Sequence, residues 1–284
     1  MRTLVFASVL FPALTLVSGF GNAGDTHPSL TAAISDGDKV QQTNPKRETY
    51  RGYYFDLATI SVRADFDAKV NGLRQQVDMI ENVGLSHRVL EFFRTVPILV
   101  DEFACIEGLR LNPDSKTDKK PTLASGCYSS SFSSSFPAQS RGKLREVSVW
   151  ENRRWNNTDP IVQAIDNRIG VAIIRTRTLD SGRPVLLHEM LHAYHFNIVP
   201  QRFGNDAIKY YYEAAKGDKY PADAYFLTNE MEFFAVTATV FLTGKADGGI
   251  TPSQIENMSG YSNYLRWLFE VDPPKRGTPV ASVN

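Results

Sequence analysis

Val185-Leu186-Leu187-His188-Glu189-Met190-Leu191-His192-Ala193-Tyr194 is the stretch on which the reading of this chain turns. The histidines stand four apart with neither Pro nor Gly between them. A helix of 3.6 residues per turn therefore sends both imidazoles off one face, one turn apart. That spacing suits a single zinc ion. Glu189, beside the first histidine, can reach the water on the metal and act as general base. The alternative is an amphipathic helix whose two histidines are ordinary core or surface residues.

A catalytic zinc site needs a third protein ligand and leaves its fourth position to water. A further histidine six residues after His192 would complete one common pattern, but Ile198 stands there. His195, three residues on, points well away from the direction of His188, which predicts a surface or second-row position. Carboxylates remain: Glu213 on the next helix, and Glu230 and Glu232 at the start of a later one. Two residues apart on a helix is a turn of about 200°, so only one of Glu230 and Glu232 can face the metal.

Tyr225-Phe226-Leu227-Thr228-Asn229-Glu230-Met231-Glu232-Phe233-Phe234-Ala235 resembles the Tyr-x-x-Thr-Asn-x-x-Glu-Phe-Phe-Ala segment of gluzincin peptidases similar to the catalytic domain of anthrax lethal factor. The resemblance covers His188 to about Val240 and does not extend to the first 140 residues. It implies Glu232 as the third zinc ligand and Tyr225 as the residue that stabilises the oxyanion. The fold to expect is α+β and zincin-like, a mixed sheet lobe with the histidine helix and a helical C-terminal lobe. That family often carries a second carboxylate one turn after the ligand; Val236 stands there, so support for the metal must come from elsewhere or be weaker. The residues themselves agree with ligation. Phe233, Phe234, Val236, Val240 and Phe241 make this helix apolar on most sides, where a charge is costly unless paired or metal-bound.

The remainder of the chain sets the context. Lys plus Arg number 31, as do Asp plus Glu, with no run of like charge; this argues against a nucleic-acid footprint or an anionic-membrane patch. Arg2 followed by the apolar Leu4–Val17 and small residues predicts a secretory signal over 1–23, cleaved after Gly19 or Ala23, and hence an extracellular protein with no membrane attachment after cleavage. Residues 24–49 read as a flexible leader or short pro-segment, and 50–284 as one metallopeptidase domain. In an oxidising compartment Cys105 and Cys127 could form a disulfide contributing about 3 kcal/mol. There is no phosphate-cradling GxxxxGK[ST], no GxGxxG after a strand and no Gly-x-Ser-x-Gly elbow.

Periodicity supplies the elements. Strands are expected at Tyr50 to Val62, Pro97 to Val100, Leu144 to Trp150 (an edge) and Ile169 to Arg175, the last able to line a cleft and pair with an extended peptide. Helices are expected over Asp67 to Val83, from a Ser86 cap to Phe93, about Pro184 to Phe196, Asp206 to Lys216, from a Thr228 or Asn229 cap to Leu242, and from a Thr251 capping box toward Phe269. Ile106 to Arg141 reads as a long surface excursion. The chemistry expected of the whole is peptide-bond hydrolysis on a peptide or protein substrate with one zinc per chain. Its alternative is a secreted zinc-containing binding or effector protein without catalysis.

Overall fold

The structure, a computed structural model, describes residues 46–101, 106–107, 122–123, 125–130, 158–217, 220–221, 223–258 and 260–271. All belong to one unit, Asn44–Asn284. The expected signal, most of the leader and the expected 144–150 strand lie outside the described residues.

Where one strand was expected from Tyr50, a hairpin forms instead. β1 (Arg47–Tyr50) and β2 (Tyr53–Asp56) are antiparallel, joined by Arg51 and Gly52 at φ 49° and 87°. Two successive positive φ values are what a two-residue hairpin turn requires, and Gly52 supplies one of them without strain. A 3-10 turn, Ala58–Ile60, follows. α1 (Phe66–Asn82) buries Val70, Leu73, Val77 and Ile80, which recur at helical spacing. α2 (His87–Thr95) is capped by Ser86, whose side chain accepts from Val89 N. These helices carry the chain to β3 (Ile98–Val100), parallel to β2.

Within the expected surface excursion, β4 (Ile106–Glu107) and β5 (Thr122–Leu123) pair with each other, and β6 (Gly126–Ser129) joins the main sheet. After α3 (Pro160–Asp166) comes β7 (Val171–Ile174), parallel to β3 and antiparallel to β6. The five-stranded order is β1-β2-β3-β7-β6. β7 thus has neighbours on both sides and cannot add a peptide strand. Among the described residues the edge beside it is β6, a strand that the sequence hides because its Gly and Ser content reads as turn.

β3 and β7 are buried on both faces, as internal strands of a covered sheet are. Ile98, Val100, Ala172 and Ile174 face the main core, whereas Leu99, Val171 and Ile173 face a smaller cluster with Ile161 of α3. The short α4 (Thr176–Leu179) leads to α5 (Val185–Asn197), the histidine helix. α6 (Asp206–Ala215) follows, then α7 (Glu230–Thr243), which ends at Gly244 in the left-handed region, φ 65°. The Thr251 capping box is present and starts α8 (Pro252–Glu256). The chain breaks at Gly260 (φ 80°) before α9 (Tyr261–Phe269). One helix was expected there. A Cβ at 260 would come within 2.9 Å of the Tyr211 hydroxyl, so the break is where that ring packs. The described residues form nine α-helices and a mixed sheet, and no helix among them is long and apolar enough to cross a membrane.

Candidate metal centre

α5 carries almost no amphipathic signal because it is apolar nearly all round and correspondingly buried. It packs most extensively along α7 and also touches α1, β6 and β7. Pro184 at its N-cap offers no side-chain acceptor. Gln76 of α1, 3% exposed, caps the helix in its place. Its Oε1 accepts from Leu186 N at 3.2 Å and its Nε2 donates to Arg183 O at 2.7 Å. One amide from a neighbouring helix therefore satisfies a backbone donor left open where α5 begins and adds a second bond to Arg183 O, which also accepts from Val185 N. At the start of α7 the side chain of Asn229 accepts from Glu232 N at 2.9 Å, so the cap holds the backbone of Glu232 itself.

With both helices fixed, three side chains converge. His188 Nε2 and His192 Nε2 are 3.0 Å apart. Glu232 Oε2 lies 3.2 Å from His188 Nε2 and Glu232 Oε1 lies 3.5 Å from His192 Nε2. Glu232 Oε2 is buried and close to His188 yet has no hydrogen-bond partner. Three donor atoms turned on one point with an orphaned carboxylate oxygen make a set for a cation. A tetrahedral ion with bonds of about 2.0–2.1 Å holds its ligands about 3.3 Å apart, close to the spacings seen. His188, Glu189 and His192 also form a group whose ligand atoms lie within 4.8 Å of one another. Glu232, in direct contact with both imidazoles, could equally serve as a third ligand, with Glu189 beside the same point.

The electrostatics follow from burial and charge. Burial would raise the Glu232 carboxyl, but His188 and His192 outweigh it and hold Glu232 well below the usual carboxylate range. Burial, helped by His188, lowers His192 against the opposing pull of Glu232, keeping it neutral and able to ligate. At His188 burial is the largest influence and acts downward, yet Glu232, Glu189 and Asp247 together raise its proton affinity. Asp247 was not singled out from sequence. It is bound to Arg183 (3.0 Å), just before α5, and opens the turn that runs through Gly248. A Cβ on Gly248 would be 2.6 Å from Val236 Cγ1, so the turn sits where a longer side chain at 236 would reach.

The ring of Tyr225 lies 6.4 Å from that of His188, centroid to centroid, and is 41% exposed. The other candidates are elsewhere. Glu213 pairs with Lys216 at 3.0 Å, and both line a separate groove of about 370 Å³ with Glu230. His195 is not at the surface: it is fully buried, its ring 4.6 Å from Phe234 and 5.0 Å from Phe203. The expected turn away from His188 does not hold: seven residues of helix are about 700°, so His195 leaves the helix in nearly the direction of His188, two turns farther on. Cys127 is disulfide-bonded, and Cys105, outside the described residues, is the only other cysteine in the sequence.

Comparison with protein-family models, with curated proteins and with solved structures yields no match in any of the three.

Proposed function

We propose that the chain is a secreted zinc-dependent metallopeptidase of gluzincin type, its α+β architecture zincin-like, acting on peptide or protein substrates. The observation that carries this reading is the convergence of His188, His192 and Glu232 from two helices, with Glu189 alongside. Two imidazoles and a carboxylate are a donor set suited to catalytic zinc. The resemblance of Tyr225–Ala235 to the lethal-factor-like gluzincins assigns the same third ligand.

His188, His192 and Glu232 would hold the zinc ion, which when bound would supply Lewis-acid chemistry toward the scissile carbonyl and water. Glu189 accepts the proton of the attacking water and delivers it to the leaving amine. Tyr225, half-exposed beside His188, donates its hydroxyl hydrogen to the oxyanion that develops on the carbonyl oxygen. Helices α5 and α7 are buried on most sides, so the ligands approach in a fixed geometry and little reorganisation accompanies reaction.

Glu189→Gln should retain zinc and lose cleavage of a peptide library by roughly two to four orders of magnitude, the range for a lost general base. Glu232→Ala should lose the metal. Native-rate cleavage by the Glu189→Gln protein would end this reading, and retention of zinc without any cleavage by the wild type would leave a binding protein in its place.

A further inference from the structure

Gly126 of β6 has no conformational need to be glycine. It is not among the residues at positive φ, and it pairs with Ile174 in ordinary antiparallel register. What it lacks is room. A Cβ at 126 would lie 2.9 Å from Glu189 Oε1, 3.1 Å from Glu189 Cγ and 2.9 Å from the Ile173 carbonyl oxygen. Separations under about 3 Å are well inside carbon van der Waals contact.

The strand is anchored on both sides of that contact. Arg175 N donates to the Ser125 carbonyl at 3.2 Å and Thr178 Oγ1 donates to it at 3.3 Å. On the other side Cys127 is disulfide-bonded, and the Tyr128 hydroxyl donates to Ile169 O at 2.7 Å. Asn197, the last residue of α5, donates to that same hydroxyl at 3.2 Å. β6 is therefore tied to the helix that bears Glu189.

We infer that Gly126 is a positioning residue for Glu189. The backbone of β6 is the wall against which the carboxylate rests, and the missing side chain sets the direction in which that carboxylate points. Glu189, 4% exposed, has little space to adopt another rotamer. Because the strand is held at several points, a methyl group at 126 displaces the carboxylate. The significance of the contact for catalysis rests on the peptidase reading; the contact itself does not.

The test is a pair of double-mutant cycles. In the first, thermal unfolding of metal-free wild type, Gly126→Ala, Glu189→Ala and the double variant is compared. The double should be less destabilised than the sum of the singles, because removing the carboxylate relieves the clash. Strict additivity would overturn the inference. Should Gly126→Ala fold poorly, the double variant should be the better folded of the two, since only the Ile173 carbonyl contact remains in it; no improvement would overturn the inference. In the second cycle, zinc-loaded Gly126→Ala should bind the metal as tightly as wild type and lose kcat on the order of tenfold to a hundredfold, the scale of a small misplacement, with KM little changed. Glu189→Asp, whose carboxylate is drawn back by one methylene, should be no slower with Gly126→Ala than without it; independent losses would again overturn the inference. If the wild type cleaves nothing, the peptidase reading falls while the unfolding cycle still decides the contact.

Discussion

Protonating a histidine that is fully buried, with no hydrogen-bond partner on either ring nitrogen, is costly, and His195 is such a residue. Burial, with a smaller repulsion from His192, drops it from 6.5 to about 3. Between those values the unfolded chain binds a proton that the folded chain does not. The stabilising contribution is therefore complete above pH 6.5 and is lost as pH falls toward 3, at up to about 1.4 kcal/mol per pH unit. Urea midpoints of the metal-free protein from about pH 7 to about pH 4 should show this slope, and His195→Phe should flatten it. A second residue-scale expectation concerns Asp247. Its charge reaches His188 and its turn packs on Val236, the position at which the resembling family often has a carboxylate. Asp247→Asn should weaken zinc binding by about tenfold, the lower end for the loss of a group that tunes a ligand. Competition against a chromophoric chelator measures it, and unchanged affinity would exclude Asp247 from that role.

Helix starts decide how well the ligands are aimed. Losing Gln76 leaves the buried Leu186 N, just ahead of His188, without its partner, whereas Arg183 O keeps its bond from Val185 N. Gln76→Leu should destabilise the fold by about 1–3 kcal/mol, the cost of one buried group left open. Chemical denaturation reads it directly; a loss under about 0.5 kcal/mol, the level of an ordinary surface change, would mean that α5 is capped some other way. This cap illustrates where sequence stops. His188, Glu189, His192, Asn229 and Thr251 are legible because each acts through neighbours a few residues away, a distance that helix periodicity encodes. Gln76 acts across 110 positions, Gly126 acts by having no side chain, and Asp247 is one acid among 31 Asp plus Glu. None of these leaves a local pattern. β6 escapes sequence reading for a related reason: its four residues belong to a sheet only through long-range pairing with β7.

At the scale of the molecule, the proposed metal centre would be a cross-link between α5 and α7, which among the described residues share the most extensive helix contact. On that proposal two ligands come from one helix and the third from Glu232, far downstream in sequence, so a bound ion would join segments that separate on unfolding. It therefore stabilises the native state and not the unfolded chain. At free zinc about one hundredfold above its dissociation constant the gain is about 2.7 kcal/mol. For a domain of this size that raises the melting temperature by about 5–10 °C. The rise should vanish in Glu232→Ala, which removes the α7 side of the link, and persist in Glu189→Gln, which leaves all three ligands in place. Calorimetry with and without chelator separates the two variants without reference to any substrate. A rise that persists in Glu232→Ala and vanishes in Glu189→Gln would mean that the ion sits on α5 alone, with Glu189 rather than Glu232 completing its shell.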